Sequence, residues 1–341
     1  MSDTHLSDTN AKAPLEHGGD LGAARNLFPG APEPFVDLST GINPFAYPLP
    51  QLPSDIFARL PEQAALDQLA ACAAKAYGAP SASHVAAAPG TQSLLAPVFA
   101  LARIGRAAVL SPTYAEHARV AALVGHSVRT IEDVGRLRDA GLAIVVNPNN
   151  PDGRLLPPAT LLALAEELRA SGGLLVVDEA FMDAGPQRAT VASEVGCGNL
   201  VVLRSFGKFF GLAGLRLGFA LAAPDIIERL KALLGPWPVS GAAIVVGARA
   251  LTDQVWVDAT RVRLAAAAMR LDALLHEARL QVIGGTSLFR TVRMSDAAAL
   301  FLRLGQAGIV VRRFTEWPDL LRVGLPADEP SWERLRAVLV S

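Results

Sequence analysis

Five short apolar runs, at residues 107–110, 143–146, 174–177, 200–203 and 217–221, lack the polar alternation of a half-exposed strand. Strands of that kind belong to a sheet covered on both faces. Between them, residues 114–124 and 158–171 have helical length and periodicity, giving the βαβ rhythm of a mainly parallel α/β domain. A further helix is expected over 66–77, ending at Gly78 before the turn Ala79-Pro80-Ser81. Past Pro224 the pattern becomes helix-rich, with 259–278 as the longest candidate, and strand-like pieces follow at 288–292, 308–312 and 321–323. That portion is expected to form a smaller α+β domain. The division this implies is an N-terminal arm over 1–50 that joins the small domain, a large domain over 51–240 and a small domain over 241–341. Pro29, Pro32, Pro34, Pro44, Pro48 and Pro50 forbid a long helix in the arm, so it is expected to be extended. Residues 1–13 are polar and read as a frayed tail.

A chain of 341 residues that is 51% hydrophobic and 18% charged can bury one large core, or two smaller ones sharing an interface. Its net charge is -1 and its Lys and Arg residues are scattered, which argues against a nucleic-acid or anionic-membrane partner and points to a small molecule. Cys72 and Cys197 lie far apart and have no metal-ligand spacing around them, so no disulfide framework and no metal site are expected. A reducing cytoplasm suits that usage. The N-terminus lacks the basic and apolar regions of a secretory signal, and no apolar run reaches the length of a membrane span.

The segment that carries chemistry is Ser205-Phe206-Gly207-Lys208-Phe209-Phe210-Gly211-Leu212-Ala213-Gly214-Leu215-Arg216-Leu217-Gly218, directly after the run at 200–203. A single lysine there stands in a small-residue loop at a strand end. Partial desolvation would leave its amine neutral and nucleophilic, and small neighbours would let a phosphorylated ring approach the backbone. Upstream, Val176-Val177-Asp178-Glu179-Ala180-Phe181 sets an acid at the carboxyl end of a buried strand, where open α/β sheets present ligand-binding groups. Asn147-Pro148-Asn149-Asn150-Pro151-Asp152-Gly153 follows another strand, and Gly90-Thr91-Gln92 opens a helix whose N–H groups and dipole can receive a phosphate.

With these motifs the sequence resembles, over nearly its whole length, the class I/II aminotransferase superfamily of fold-type I enzymes dependent on pyridoxal 5'-phosphate (PLP). The resemblance implies a mainly parallel seven-stranded sheet with a smaller α+β domain, and a homodimer with its sites at the subunit interface. It implies that Lys208 carries PLP as a Schiff base and that Ser205 and Arg216 bind its phosphate together with the cup at Gly90, Thr91 and Gln92. Asp178 then partners the pyridine nitrogen, Asn150 and the residue at Phe181 face the phenolic oxygen, and Tyr114 in Ser111-Pro112-Thr113-Tyr114 stacks on the ring. Glu179 receives no cofactor role. In Leu320-Leu321-Arg322-Val323-Gly324, Arg322 is the expected clamp for the substrate α-carboxylate. Arg312, after Gly308-Ile309-Val310-Val311, matches a position that takes a substrate phosphate in the histidinol-phosphate branch, and adjacent Arg313 could substitute for it.

Within the superfamily, Glu16-His17-Gly18-Gly19-Asp20 and Asp37-Leu38-Ser39-Thr40-Gly41-Ile42-Asn43-Pro44 look like the arm of the branch that decarboxylates L-threonine O-3-phosphate in cobalamin biosynthesis. This adds His17, Gly18, Gly41 and Asn43 as expected substrate contacts. Phe181 points the same way, because aminotransferases typically carry a tyrosine there and phenylalanine has no hydroxyl to donate. Leu60 is a departure, since relatives often place there a tyrosine that reaches the neighbouring subunit's PLP. The expected reaction is loss of the α-carboxylate as CO2 and reprotonation at Cα, giving (R)-1-amino-2-propanol O-2-phosphate. An aminotransferase of the histidinol-phosphate type is the alternative. A non-catalytic PLP-binding regulator is a more distant one, because such proteins carry a DNA-binding module for which the segment before Leu66 leaves no room.

Overall fold

The structure, a computed structural model, describes residues 18–340. His17 and the tail at 1–13 lie outside the described residues. In chain order the arm contributes α1 (Leu21–Leu27) and β1 (Val36–Leu38). Then follow α2 (Gln63–Tyr77), β2 (Val85–Ala88), α3 (Gln92–Phe99), β3 (Arg106–Leu110), α4 (Glu116–Val124), β4 (Ser127–Ile131), β5 (Leu142–Val146), α5 (Pro158–Ala170), β6 (Leu174–Asp178), β7 (Leu200–Ser205), the single turn α6 (Phe206–Phe209) and β8 (Gly218–Leu221). The rest of the chain forms α7 (Pro224–Leu234), α8 (Gly241–Thr252), α9 (Gln254–Glu277), β9 (Gln281–Thr286), β10 (Phe289–Arg293), α10 (Ala297–Gln306), β11 (Ile309–Arg313), β12 (Leu320–Gly324) and α11 (Glu329–Val340).

Strands β2 to β8 make one seven-stranded sheet in the order β2-β8-β7-β6-β5-β3-β4. Neighbours from β7 through β4 run parallel, whereas β8 is antiparallel to both β2 and β7. The apolar runs are buried for the reason their lack of alternation gives. Leu175, Val177, Val202 and Phe219 enter the core on one face, and Val176, Val201, Leu203 and Ile144 enter a second core on the other. The expected mixed α/β fold with a mainly parallel seven-stranded sheet is therefore present.

A second, five-stranded sheet has the order β1-β11-β12-β10-β9. The arm joins it directly, since β1 pairs in parallel with β11, Val36 opposite Ile309 and Leu38 opposite Val311. The proline content predicts an extended arm, but the arm is not extended throughout. Helix α1 lies ahead of Pro29, and the Asp20 side chain caps it by accepting from the Ala23 N–H at 2.8 Å. Two strands also escape the apolar-run criterion. β4 lies at the sheet edge with Ser127, Arg129 and Thr130 exposed, and β9 is largely half-exposed and contains Gly284 and Gly285. The longest helix, α9, begins earlier than 259, because Asp253 caps its N-terminus by accepting from Trp256 N–H at 3.0 Å.

Candidate active site

The carboxyl ends of β3, β5, β6 and β7 open onto a cavity of about 720 Å3, closed on its other side by the arm and by β11 and β12. This is the crevice where parallel sheets bind ligands. Of the residues singled out in the sequence, the cavity gathers Gly18, Gly90, Thr91, Gln92, Tyr114, Asn150, Asp178, Phe181, Ser205, Lys208, Arg216, Arg312 and Arg322.

Lys208 follows β7 in the short turn α6, and its Nζ donates to the Thr40 carbonyl at 3.0 Å. The Phe181 ring centroid is 5.6 Å from the same nitrogen. Burial, and next the positive charge of Arg322, lower the ammonium to about 8. A neutral, nucleophilic amine is thus accessible near physiological pH.

Asp178 ends β6 with one oxygen accepting from Ala180 N–H at 3.0 Å and the other 3.0 Å from Nε2 of His117. His117 is fully buried on α4, three residues after Tyr114, and its ring meets the Tyr114 ring edge-on at 5.7 Å. His117 stands outside every motif quoted from the sequence. Its helical spacing from Tyr114 is the signal that could have found it.

One end of the cavity is built where Gly90 and Thr91 lead into α3. Gly90 has φ +84°, and a Cβ there would lie 2.7 Å from Nη2 of Arg216. Only glycine permits both that backbone and that approach. Arg216 itself has φ 54°, and its Nη1 donates to the Ala213 carbonyl at 3.1 Å. Ser205, at the end of β7, lines the same cavity. Gln92 is held by neighbours, donating to Glu116 at 2.8 Å and accepting from the Tyr114 hydroxyl at 3.3 Å. Burial, followed by the charges of Glu116 and Asp178, pushes Tyr114 up to about 12, so its hydroxyl stays protonated.

On the opposite wall Arg322 is almost fully buried. It donates to Asn150 Oδ1 and to the Ser39 carbonyl, each at 2.5 Å, while its Nε has no partner. Burial and nearby Arg312 lower it to about 9, which leaves the guanidinium charged at neutral pH. A buried cation held by neutral acceptors is suited to an incoming carboxylate. Strand alternation separates the two candidate phosphate ligands on β11. Arg312 lines the cavity, whereas Arg313 lies 5.6 Å over the Phe301 ring of α10.

Gly41 and Asn43 do not line the cavity as expected for substrate contacts. Asn43 Nδ2 donates to the Phe209 carbonyl at 2.7 Å, and its N–H donates to the Lys208 carbonyl at 2.9 Å, so it ties the arm to the lysine turn. Gly41, with φ +61°, leaves a Cβ only 3.1 Å from Phe289 and 3.4 Å from Phe181, and it lets those rings close on the arm. The sequence reading also missed Ser39 and Thr40, whose contributions are backbone carbonyls with no sequence signature. Among the described residues no group of His, Cys, Asp and Glu could hold a metal ion. No described helix is long and apolar enough to cross a membrane.

The model of the family described as aminotransferase class I and II matches residues 36–338. The chain belongs to that family. Threonine-phosphate decarboxylases from Sinorhizobium sp and Pseudomonas aeruginosa are each 44% identical to it, covering 96% of this chain and 98% and 97% of their own lengths. A histidinol-phosphate aminotransferase from Shewanella amazonensis is 31% identical over 67% of this chain and 68% of its own. Among solved structures, histidinol-phosphate aminotransferase from Sinorhizobium meliloti in complex with pyridoxal-5'-phosphate superimposes with a TM-score of 0.80 at 20% identity, covering 99% of this chain and 98% of that one, and shares the fold. The cofactor of the family is PLP, and this cavity fits it. A desolvated lysine, an acid fixed at a strand end, and a glycine cradle beside Arg216 suit respectively an aldehyde, a ring nitrogen and a phosphate.

Proposed function

We propose that this protein is a PLP-dependent carboxy-lyase that converts L-threonine O-3-phosphate to (R)-1-amino-2-propanol O-2-phosphate, the aminopropanol linker precursor of cobalamin. The observation that carries this reading is the 44% identity to threonine-phosphate decarboxylases along 96% of the chain, which takes in the arm. The charge of the cavity agrees with a substrate that is anionic at both ends. Arg119, Lys208, Arg216, Arg312 and Arg322 face into it against Glu116, Asp178 and Glu316.

When bound, PLP supplies the electron sink for the pair left on Cα as the carboxylate departs. Arg322 takes that carboxylate, and because Asn150 and Ser39 fix its guanidinium, the clamp can set the angle of the bond that breaks. Phe181, packed edge-on against Phe289 at 5.2 Å, gives the lysine side of the cavity an apolar wall. CO2 leaves, and Cα takes a proton in its place. Lys208 Nζ, lowered to about 8, is the group suited to deliver it. Arg312, which lines the cavity, takes the substrate phosphate in this reading.

The test is to incubate the PLP-loaded protein with L-threonine O-3-phosphate in the absence of any keto acid, following CO2 and the amine product by mass spectrometry. Catalytic CO2 release is expected. No CO2, with the cofactor converted to an amine form that a keto acid reverses, would make the protein an aminotransferase instead.

The same reading includes a homodimer. Phe57 and Leu60 are 71% and 65% exposed, and Trp237 is 52% exposed, which leaves apolar surface for a second copy to cover. Sedimentation at micromolar concentration tests it, and a monomer would refute it. A cytoplasmic location completes the proposal, supported by the free thiols of Cys72 and Cys197.

A further inference from the structure

Behind Asp178 and Ser205 the large sheet carries a second charged cluster that does not reach the cavity. Arg204 is 1% exposed. Its Nη1 donates to Glu179 Oε2 at 2.7 Å, its Nη2 donates to Asp183 Oδ1, and its guanidinium lies 4.4 Å over the Tyr77 ring. Glu179 is fully buried and also accepts from Thr190 Oγ1 at 2.5 Å and Val191 N–H at 2.9 Å. Each member of the Arg204–Glu179 pair is the chain neighbour of a residue that lines the cavity, Glu179 following Asp178 on β6 and Arg204 preceding Ser205 on β7. The two strand ends are joined there by backbone as well, since Asp178 pairs with Leu203 and Glu179 N–H donates to the Leu203 carbonyl at 2.9 Å.

A buried ion pair is commonly no better for folding than apolar side chains of the same volume, so stability alone is a weak reason for this cluster. What it provides is directional. Strand alternation sends Arg204 to the face opposite Ser205, so a bond from Arg204 to Glu179 ties the two strand ends together without occupying the cavity. We propose that Arg204 and Glu179 are positioning residues that set the separation of Asp178 and Ser205. This rests on the PLP reading, in which those two residues hold the ring nitrogen and the phosphate. Those groups are parts of one rigid molecule, so slack between the strand ends would cost both contacts at once.

The experiment compares wild type with R204M, E179Q and T190V. It reads the PLP dissociation constant of the apo-protein by equilibrium dialysis, the midpoint of the pH titration of the visible band, and the melting of the apo-protein. Weaker PLP binding by roughly 10- to 100-fold, the loss common for outer partners of ligand-holding groups, is expected for R204M and E179Q with a displaced titration midpoint. R204K, which keeps the charge and can reach one carboxylate, should recover part of the affinity. T190V removes the hydrogen bond to Glu179 together with those Thr190 Oγ1 accepts from Arg204 Nη1 at 3.4 Å and Ala192 N–H at 3.1 Å, but leaves both charges in place, so it carries the test if the charge variants do not fold, and a few-fold loss with a displaced midpoint is expected. Lowered melting with unchanged PLP affinity and an unchanged midpoint would overturn the inference and leave the cluster a purely structural one. Wild type that binds no PLP would instead overturn the cofactor reading itself.

Discussion

Nε2 of His117 lies 3.0 Å from Oδ2 of Asp178, inside the protein, with no water-exposed surface on the histidine. The other oxygen of Asp178 is held by the Ala180 N–H at 3.0 Å. One contact comes from α4 and one from the loop after β6, so both oxygens of the carboxylate are held where Asp178 lines the cavity. Metal-ligating and cofactor-facing groups commonly depend on such outer partners.

Asp178→Asn keeps this shape and removes the charge. Turnover is expected to fall by at least about a hundredfold, as when a preorganised electrostatic partner is lost, with PLP still bound. His117→Phe leaves the charge and loosens its placement, and a loss of roughly tenfold is expected. Steady-state kinetics with a parallel absorbance measurement of bound PLP checks both. An Asp178→Asn variant with wild-type turnover would refute the assignment of that acid.

The pH dependence of cofactor loading follows from Lys208. Its ammonium is lowered to about 8, by burial first and Arg322 second, and only the neutral amine attacks an aldehyde. Below that value the neutral fraction grows about tenfold per pH unit, and above it the fraction saturates. The rate of PLP incorporation into the apo-protein is therefore expected to rise with pH up to about 8 and then flatten. Stopped-flow absorbance reads this directly. A profile still climbing toward the pKa of an ordinary lysine would show that the amine is not desolvated. Lys208→Ala should yield no borohydride-trapped PLP at any pH.

Arg312 and Arg313 are neighbours on β11 with different surroundings, the first in the cavity and the second over Phe301. Arg312→Met is expected to raise KM for L-threonine O-3-phosphate by roughly 10- to 100-fold, the loss of a charge-assisted contact, with little change in PLP binding. Arg313→Met is expected to leave KM within about twofold, as for a charge outside the site. Initial-rate measurements on the two variants decide between them, and the reverse ranking would place the phosphate on the other side of the strand.

What the sequence made legible was the part of the molecule whose physics is local. Runs such as 143–146 and 174–177 are apolar throughout because both faces of the sheet are covered, and the chemistry beyond their ends, Asn150 and Asp178, stands in recognisable motifs. The edge strand β4 carries Ser127, Arg129 and Thr130 to solvent and so has no apolar signature. Asn43 is expected as a ligand because its segment resembles the arm of the decarboxylase branch, yet its amide holds the Phe209 carbonyl. The carbonyls of Ser39 and Thr40, which accept from Arg322 and Lys208, could not be foreseen, since every residue has one. His117 was hidden for a different reason. Its partner is 61 residues away in sequence, and only the fold brings them together.

Two glycines allow the proposed phosphate cradle to be separated from ordinary backbone strain. Gly90 and Gly172 both adopt left-handed conformations, with φ +84° and +72°. A Cβ at Gly172 would meet nothing within 4 Å, whereas one at Gly90 would lie 2.7 Å from Nη2 of Arg216. Substitution by alanine in either place costs about 1–2 kcal/mol of stability from the left-handed conformation alone. Only Gly90→Ala also pushes the arginine aside. The two variants should therefore melt at similarly reduced temperatures, while PLP affinity falls by roughly tenfold or more in Gly90→Ala and stays unchanged in Gly172→Ala. Calorimetry and equilibrium dialysis on the same preparations read both quantities. Equal PLP affinity in the two variants would mean that Arg216 does not hold the phosphate.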